Sequence, residues 1–297
     1  MRTRADGDRQ PIPAPSLAHV PRNPRLAPAP LLALPALLAL CVLLALFAVL
    51  SAGRADGRPV RPLLVSAASS LQDVLRNVAA AYERGGRDVE IEVQSGSSGM
   101  LAVQIMRGAP VDLFVSADEE TAIDLAGRGK LEIPLSVLAR NRVVLVAPAG
   151  RPVPIDRYQD LLGPRVRRFA LPDTTVPIGR YGQRFLRATG LEASLEERRI
   201  RTENVRASLA AAETGAVDLA FVYATDARLS DRVRVVAEIP DSLTGPVRIV
   251  AGVVSGSVLS AAARDFLRFL LSEEGQTEFR RAGFSSAAPA RAETAPR

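Results

Sequence analysis

The sequence predicts an α/β protein of two lobes, each a mainly parallel sheet flanked by helices. From Pro62 onward, short apolar runs alternate with stretches of helical periodicity, which is the pattern of strands joined by helical crossovers. The run at 142–148 is a long apolar strand ending at a proline, a natural point for the chain to cross into a second lobe. We therefore expect lobe 1 to comprise residues 58–142 and about 256–286, and lobe 2 residues 143–255.

Lobe 1 begins with three predicted strands and three predicted helices. Buried or alternating apolar runs indicate the strands, and apolar residues spaced three or four apart indicate the helices. Gly85 and Gly108 follow the first two helices, where glycine commonly ends a helix. In chain order, we predict strands at 63–65, 89–93 and 111–115, and helices at 71–82, 99–107 and 118–128.

The rest of the chain repeats this alternation. Gly190 and Gly215 stand where the C-terminal caps of two further helices belong. The predicted strands are 142–148, 168–171, 217–223, 233–237 and 247–254, and the predicted helices are 178–188, 205–213 and one that carries Phe266, Phe269, Leu270 and Phe279.

Residues 1–57 are predicted to be an export leader. Five arginines precede an apolar run at 31–50, and small residues follow it, as in a signal peptide. Because about 20 apolar residues can also span a bilayer, a retained membrane anchor is the alternative to a cleaved signal. At the other end of the chain, residues 287–297 are predicted to be a disordered tail.

The residue inventory excludes the common catalytic and metal sites from the exported part. His19 and Cys41 are the only histidine and cysteine, and both lie in the leader. A Ser–His–acid triad, a Cys–His dyad or a His-ligated metal is therefore excluded, and we expect neither an enzyme nor a cofactor. The leader holds six of the 38 basic residues and three of the 32 acidic ones. The remaining charges are nearly balanced and interspersed, which argues against nucleic-acid binding.

Four predicted helices begin at small, polar or apolar residues without a charge at the helix start. They begin near Ser70, Ser98, Ile178 and Val205. A helix N-terminus exposes unpaired N–H groups and carries about half a positive charge, so several of them together can bind an anion without Lys or Arg. Singly, each could be an ordinary cap. Ligands of parallel α/β sheets bind at the carboxyl ends of the strands, which predicts a site in the cleft between the lobes.

Seven stretches of the chain resemble the family of periplasmic molybdate-binding proteins, the solute-binding components of molybdate ABC transporters. The resemblance spans about 62–284, nearly all of the exported part. The matching stretches are Ala67-Ala68-Ser69-Ser70-Leu71, Ser95-Gly96-Ser97-Ser98-Gly99, 108–118, 141–148, Val176-Pro177-Ile178-Gly179-Arg180-Tyr181, Glu203-Asn204-Val205-Arg206 and 221–227.

This resemblance implies a type II-like periplasmic binding protein that holds molybdate, and also tungstate, in the inter-lobe cleft. It implies that Ser70 and Ser98 each offer a hydroxyl and a backbone N–H, that Ile178 and Val205 offer backbone N–H groups, and that Tyr223 donates its phenolic O–H. Molybdenum would then be bound as an oxyanion, with no side chain ligating the metal.

The same resemblance implies a monomer in the periplasm whose partner is an inner-membrane molybdate ABC permease. Family members often have a small residue where this chain has Ile178, so the cleft is expected to be narrower here. Arg180 and Arg206, just beyond two helix starts, are expected in solvated or inter-lobe positions rather than on the anion.

Three other functions stay open at this level. A sulfate-binding or other oxyanion-binding protein would use the same donors, and a membrane-anchored oxyanion sensor would use the same fold. An enzyme would need Ser70 or Ser98 as a nucleophile, with Lys130 or a carboxylate as its base. Size must separate molybdate from sulfate, and the sequence does not give the radius of the cleft.

Overall fold

The computed structural model describes residues 61–287, except positions 88 and 152. The predicted leader at 1–57, with its apolar run at 31–50, lies outside the described residues, as does nearly all of the predicted tail. None of the helices in the described part is long and apolar enough to cross a membrane.

The described chain alternates between strands and helices as predicted. The strands are β1 Leu63–Ala68, β2 Ile91–Gly96, β3 Leu113–Ser116, β4 Ser136–Asn141, β5 Val143–Pro148, β6 Phe169–Ala170, β7 Arg199–Ile200, β8 Leu219–Tyr223, β9 Val233–Ile239, β10 Val247–Val253 and β11 Ser285–Ser286. The helices are α1 Gln72–Arg84, α2 Ser98–Met106, α3 Glu119–Gly127, α4 Pro177–Ala188, α5 Glu192–Leu195, α6 Val205–Glu213, α7 Ala224–Ala227, α8 Asp241–Thr244, α9 Ser260–Leu271 and α10 Glu273–Arg281. Short 3-10 turns occupy Ser69–Leu71, Tyr158–Leu162 and Glu196–Arg198.

The strands form two sheets, and the prediction of a two-lobed α/β fold is confirmed. The first sheet has the order β11-β4-β10-β3-β1-β2, and the second has the order β7-β6-β8-β5-β9. We call the first sheet with its helices lobe 1 (61–141 and 247–287) and the second with its helices lobe 2 (142–246). The chain crosses between the sheets twice, at Arg142 and at 240–246.

Both sheets are mixed rather than mainly parallel, which corrects the prediction. In lobe 1, β1 pairs in parallel with β2 and β3, whereas β10 runs antiparallel to β3 and β4. In lobe 2, β6 pairs in parallel with β7 and β8, whereas β5 runs antiparallel to β8 and β9. The short strand β11 also runs antiparallel to β4. The reversed strands β5 and β10 are the ones that the chain enters directly from the other lobe, without a helical crossover within the sheet.

Four strands differ from the prediction: β10 lies in the other sheet, and β4, β7 and β11 were not predicted. The expected range of lobe 2, 143–255, included 247–254, but β10 pairs with β3 and β4 in lobe 1. The strand β4 was not predicted, because 136–141 mixes polar and apolar residues without clear alternation. The closing helix is also two helices, α9 and α10, which separate at Ser272.

Lobe 1 is a sheet covered by helices on both faces. Along β3, Leu113 and Val115 point into the core beneath α1, and Phe114 points into a second core formed with α2 and α3. This alternation follows from the period of two in a strand, and burial on both faces explains its continuous apolar run. The helices therefore begin at the ends of strands whose positions are fixed by two packed faces.

Candidate functional site

All five residues predicted for the site line one cavity between the lobes. Ser70 and Ser98 reach it from lobe 1, and Ile178, Val205 and Tyr223 reach it from lobe 2. The volume open to the centre of a water molecule is about 10 Å³, roughly enough for one water. Sites for drug-sized ligands have volumes of several hundred Å³, so this cavity suits a compact ion rather than a sugar or a peptide.

The cavity is lined entirely by uncharged residues. Besides the five predicted residues, the lining contains Ala68, Ser69, Gly96, Ser97, Ala117, Val176 and Pro177. The sequence analysis did not single out Ser69, Ser97 or Ala117 as site residues, although they lie in stretches that carried the resemblance. Their approach depends on how separate loops meet, which a linear pattern does not specify.

Lobe 1 contributes two buried serines at helix starts. Ser70 lies in the 3-10 turn between β1 and α1, and its Oγ has no hydrogen-bond partner among the described residues. Ser98 is the first residue of α2 and is fully buried. Its Oγ accepts the N–H of Ala117 at 3.1 Å, which leaves the hydroxyl hydrogen free to donate. Ser97 caps α2 by accepting the N–H of Met100.

Lobe 2 contributes the first backbone groups of two helices. Val205 is the first residue of α6, and the cap Asn204 accepts the N–H groups of Arg206 and Ala207 at 2.9 and 3.1 Å. The cap leaves the N–H of Val205 directed out of the helix end. Ile178 is the second residue of α4, after the proline at its first position. Its N–H has no acceptor within the helix, because the first N–H groups of any helix lack one.

Tyr223 completes the lining from the carboxyl end of β8. Its side chain is buried, and its Oη has no hydrogen-bond partner among the described residues. Burial raises the pKa of this phenol well above its ordinary value, and the nearby Tyr181 and Asp118 raise it further. The group therefore stays protonated at neutral pH and can only be a neutral hydrogen-bond donor or acceptor.

The charged groups closest to the site are paired across the cleft. On one flank, Arg206 contacts Asp73 of lobe 1 at 2.7 Å and Asp226 of its own lobe at 2.7 Å. On the other flank, the Nε of Arg180 donates to Asp118 of lobe 1 at 2.9 Å. Both arginines were expected in solvated or inter-lobe positions, and both form ion pairs between the lobes.

Two buried carboxylates accept backbone hydrogen bonds, whereas the oxygens of Asp226 have no hydrogen-bond partner among the described residues. Asp118 caps α3 by accepting the N–H of Thr121 at 3.2 Å, and Asp112 accepts the N–H of Leu64 at 2.8 Å. Burial raises the pKa of Asp226 to about 6, against the opposing effect of Arg206. Among the described residues, no group of three or more His, Cys, Asp or Glu side chains could hold a metal ion.

Neither site serine has the environment of a nucleophile. An activated serine donates its hydroxyl to a neighbouring base. In the described part of the chain, the Oγ of Ser70 has no partner and that of Ser98 bonds to a backbone N–H. Among the described residues, the arrangement offers donors to an acceptor-rich ligand but no base beside either serine.

Comparison with known proteins agrees with this geometry. The family model for bacterial extracellular solute-binding proteins matches residues 63–285. The molybdate-binding protein ModA of Haemophilus influenzae is 32% identical over 227 residues, covering 75% of this chain and 89% of that protein. A more distant sulfate-binding protein from Synechococcus elongatus is 25% identical over 270 residues, covering 80% of this chain and 77% of that protein.

A solved structure has the same fold. The periplasmic molybdate-binding protein of Azotobacter vinelandii superposes with a TM-score of 0.67 at 24% identity, covering 76% of this chain and 99% of that chain. The chain therefore belongs to the bacterial extracellular solute-binding protein family, whose members bind solutes and are not enzymes.

Proposed function

We propose that the protein captures molybdate outside the cytoplasm and delivers it to an ABC permease, and that it also binds tungstate. The observation that carries this proposal is the small, uncharged cavity in which serine, tyrosine and backbone donors from both lobes converge. We propose as donors Ser70, Ser98, Ile178, Val205 and Tyr223, the residues that the family resemblance implies and that line this cavity.

The chemistry of this lining favours a fully deprotonated oxyanion. A buried dianion is very costly unless hydrogen bonds replace its hydration shell. Each hydrogen bond to a charged group contributes about 1.5–3 kcal/mol, and helix N-termini add a favourable dipole. Hydrogen phosphate carries a proton that would face a donor, which leaves both groups unsatisfied at a cost of about 1–3 kcal/mol.

The reason to propose molybdate rather than sulfate is the similarity of this chain to molybdate-binding proteins, not the chemistry of the donors. Both ions are tetrahedral dianions that accept hydrogen bonds on every oxygen, so the lining suits either. The relative whose name records molybdate matches this chain more closely than the relative whose name records sulfate. Tungstate has the same charge and shape as molybdate, and we expect it to bind similarly.

Titration calorimetry with molybdate, tungstate, sulfate and phosphate tests the proposal. We expect tight binding of molybdate and tungstate, weaker binding of sulfate and negligible binding of phosphate. At a thousandfold excess over Kd, tight binding should also stabilise the fold by about 4 kcal/mol. Sulfate binding more tightly than molybdate, or no oxyanion changing the melting temperature, would overturn the proposal.

We further propose that the mature protein is a periplasmic monomer without a cofactor, released by cleavage of the leader. The family description as extracellular solute-binding proteins supports export. Mass spectrometry of the mature N-terminus distinguishes cleavage from a retained anchor. Molybdate uptake in cells that carry or lack the cognate permease tests delivery.

A further inference from the structure

We propose that Arg206 and Arg180 are positioning residues that hold the two lobes together around the bound anion. Each does so through an ion pair with an aspartate of lobe 1, which neutralises its charge, rather than by contacting the anion. Each arginine closely follows a lobe 2 donor, and each pairs with an aspartate that closely follows a lobe 1 site residue. The identity of the anion in this inference rests on the proposed function. The ion pairs across the cleft are independent of that function.

The first of these inter-lobe ion pairs, here called the first clamp, joins Arg206 of α6 to Asp73 of α1. Arg206 follows Val205, whose N–H opens α6, and it contacts Asp73 at 2.7 Å. Asp73 stands three residues after Ser70, in the first turn of α1. The ion pair therefore links the chain segments that carry two donors from opposite lobes.

Within lobe 2, Arg206 is held by a buried partner. Its Nε lies 2.7 Å from Asp226, which is fully buried at the start of α7. The contact is a charge pair, since neither the Nε nor the Asp226 oxygens make a hydrogen bond among the described residues, and the guanidinium donates its hydrogen bond to Asp73 across the cleft. Because two carboxylates share one arginine, no net positive charge is left beside the anion cavity.

The second clamp joins α4 to α3. Arg180 stands two residues after Ile178, and its Nε donates to Asp118 at 2.9 Å. Asp118 directly follows Ala117, whose N–H bonds to Ser98. The guanidinium also donates to Thr121 in the first turn of α3. This clamp is largely shielded from water, since the side chains of Arg180 and Asp118 are 17% and 4% exposed.

The position of the clamps determines which rate constant they affect. Both pairs cross the cleft, so opening the lobes must break them. Removing a close charge pair at an interface mainly raises the dissociation rate, whereas exposed charges mainly change the association rate. Loss of either clamp breaks a contact between the lobes and should let molybdate escape faster. Its capture should change least for the shielded Arg180–Asp118 pair and more for Asp73, which is 50% exposed.

Stopped-flow measurement of molybdate dissociation tests each clamp. We expect Asp73→Asn and Arg206→Gln each to raise the dissociation rate by about two- to fivefold. The double variant should raise it no further than Arg206→Gln alone, because that change already removes the partner of Asp73. Asp118→Asn, which keeps a side chain able to cap α3, should raise it similarly.

A matched control removes an ion pair that does not cross the cleft. Glu132 pairs with Arg264 at 2.8 Å, and both residues belong to lobe 1. Glu132→Gln should leave the dissociation rate unchanged. Equal rates for wild type, Asp73→Asn and Asp118→Asn would overturn the inference, as would a rise of the same size in Glu132→Gln.

A distance measurement without anion separates this inference from the proposed function. Spin labels at Ile123 of α3 and Ile200 of β7, both exposed, report the separation of the lobes in a Cys41→Ser background. Asp73→Asn should shift the distances toward a wider cleft, and Glu132→Gln should not. If the wild type binds no molybdate, the proposed function fails while the distances still decide the clamp; unchanged distances in Asp73→Asn would refute the clamp.

Discussion

At the scale of single residues, the site divides into donors that depend on the side chain and donors that do not. The hydroxyls of Ser70, Ser98 and Tyr223 belong to side chains, whereas Ile178 and Val205 can donate only through the backbone. A substitution therefore separates the two kinds of donor without changing the shape of the cleft greatly.

Tyr223→Phe should weaken molybdate binding by about 10- to 100-fold, because one hydrogen bond to a charged ligand contributes about 1.5–3 kcal/mol. Calorimetry measures the affinity, and a thermal melt verifies folding. Val205→Ala is the control: it keeps the N–H and should change affinity by less than about threefold. A loss in Val205→Ala as large as that in Tyr223→Phe would contradict the assignment of a backbone donor.

Gly99 lies where the backbone of α2 approaches the backbone of lobe 2, which the sequence did not reveal. A Cβ at this position would lie 2.0 Å from the carbonyl oxygen of Thr175 in lobe 2. We expect Gly99→Ala to keep the lobes apart and to weaken molybdate binding by at least about tenfold, without lowering the unfolding temperature of the anion-free protein. Gly127→Ala, which meets no atom within 4 Å, is the matched control. Calorimetry on both variants measures the effect, and equal affinities would show that the contact does not limit closure.

At the scale of elements, the helix starts could be predicted and the sheet partners could not. Ser98 and Val205 begin their helices within one residue of the prediction, because caps and apolar periodicity are local signals. The apolar run at 247–253 predicts a buried strand, but a strand buried on both faces has the same sequence pattern in either sheet. Its partners in lobe 1 depend on how the chain returns from lobe 2, which is not encoded in the strand itself.

The cap of α6 connects helix stability to the site. Asn204→Ala removes the acceptor for two N–H groups and should lower the free energy of unfolding by about 1 kcal/mol. It should also weaken molybdate binding, because the first turn then orients the N–H of Val205 less firmly. Ser272→Ala removes the cap of α10, which does not line the cavity, and should lower stability alone. Chemical denaturation and calorimetry on both variants measure the two effects, and equal affinity losses would argue against a link between the cap and the site.

At the scale of the whole molecule, the site exists only when two lobes meet. Two crossings connect the lobes, at Arg142 and at 240–246, and neither lobe alone supplies all of the donors. The sequence could place the donors on helix starts. It could not give the small volume of the cavity or the ion pairs beside it, since these depend on the distance between the lobes.

The pH dependence of the free energy of unfolding should reflect the titration of Asp226. Its pKa is raised from 3.8 to about 6 in the folded protein, mainly by burial. Between about pH 4 and pH 6 the folded protein therefore binds more protons than the unfolded chain, so this carboxyl makes stability fall as the pH rises. The total change is on the order of 3 kcal/mol and is complete above pH 6.

Asp226→Asn removes this titration and tests its sign. Relative to the wild type, the variant should become more stable as the pH rises from 4 to 7, whatever its offset from losing the contact with Arg206. Asp265→Asn is the contrast, because the hydroxyl of Tyr82 and then Arg268 lower the pKa of Asp265. A lowered pKa makes stability depend on pH mainly below about pH 4, so this variant and the wild type should give nearly parallel curves from pH 5 to pH 7. Denaturant unfolding of the anion-free proteins at pH 4, 5, 6 and 7 measures both slopes. Parallel curves for Asp226→Asn and wild type would mean that Asp226 is ionised throughout this range and that Arg206 outweighs the cost of its burial.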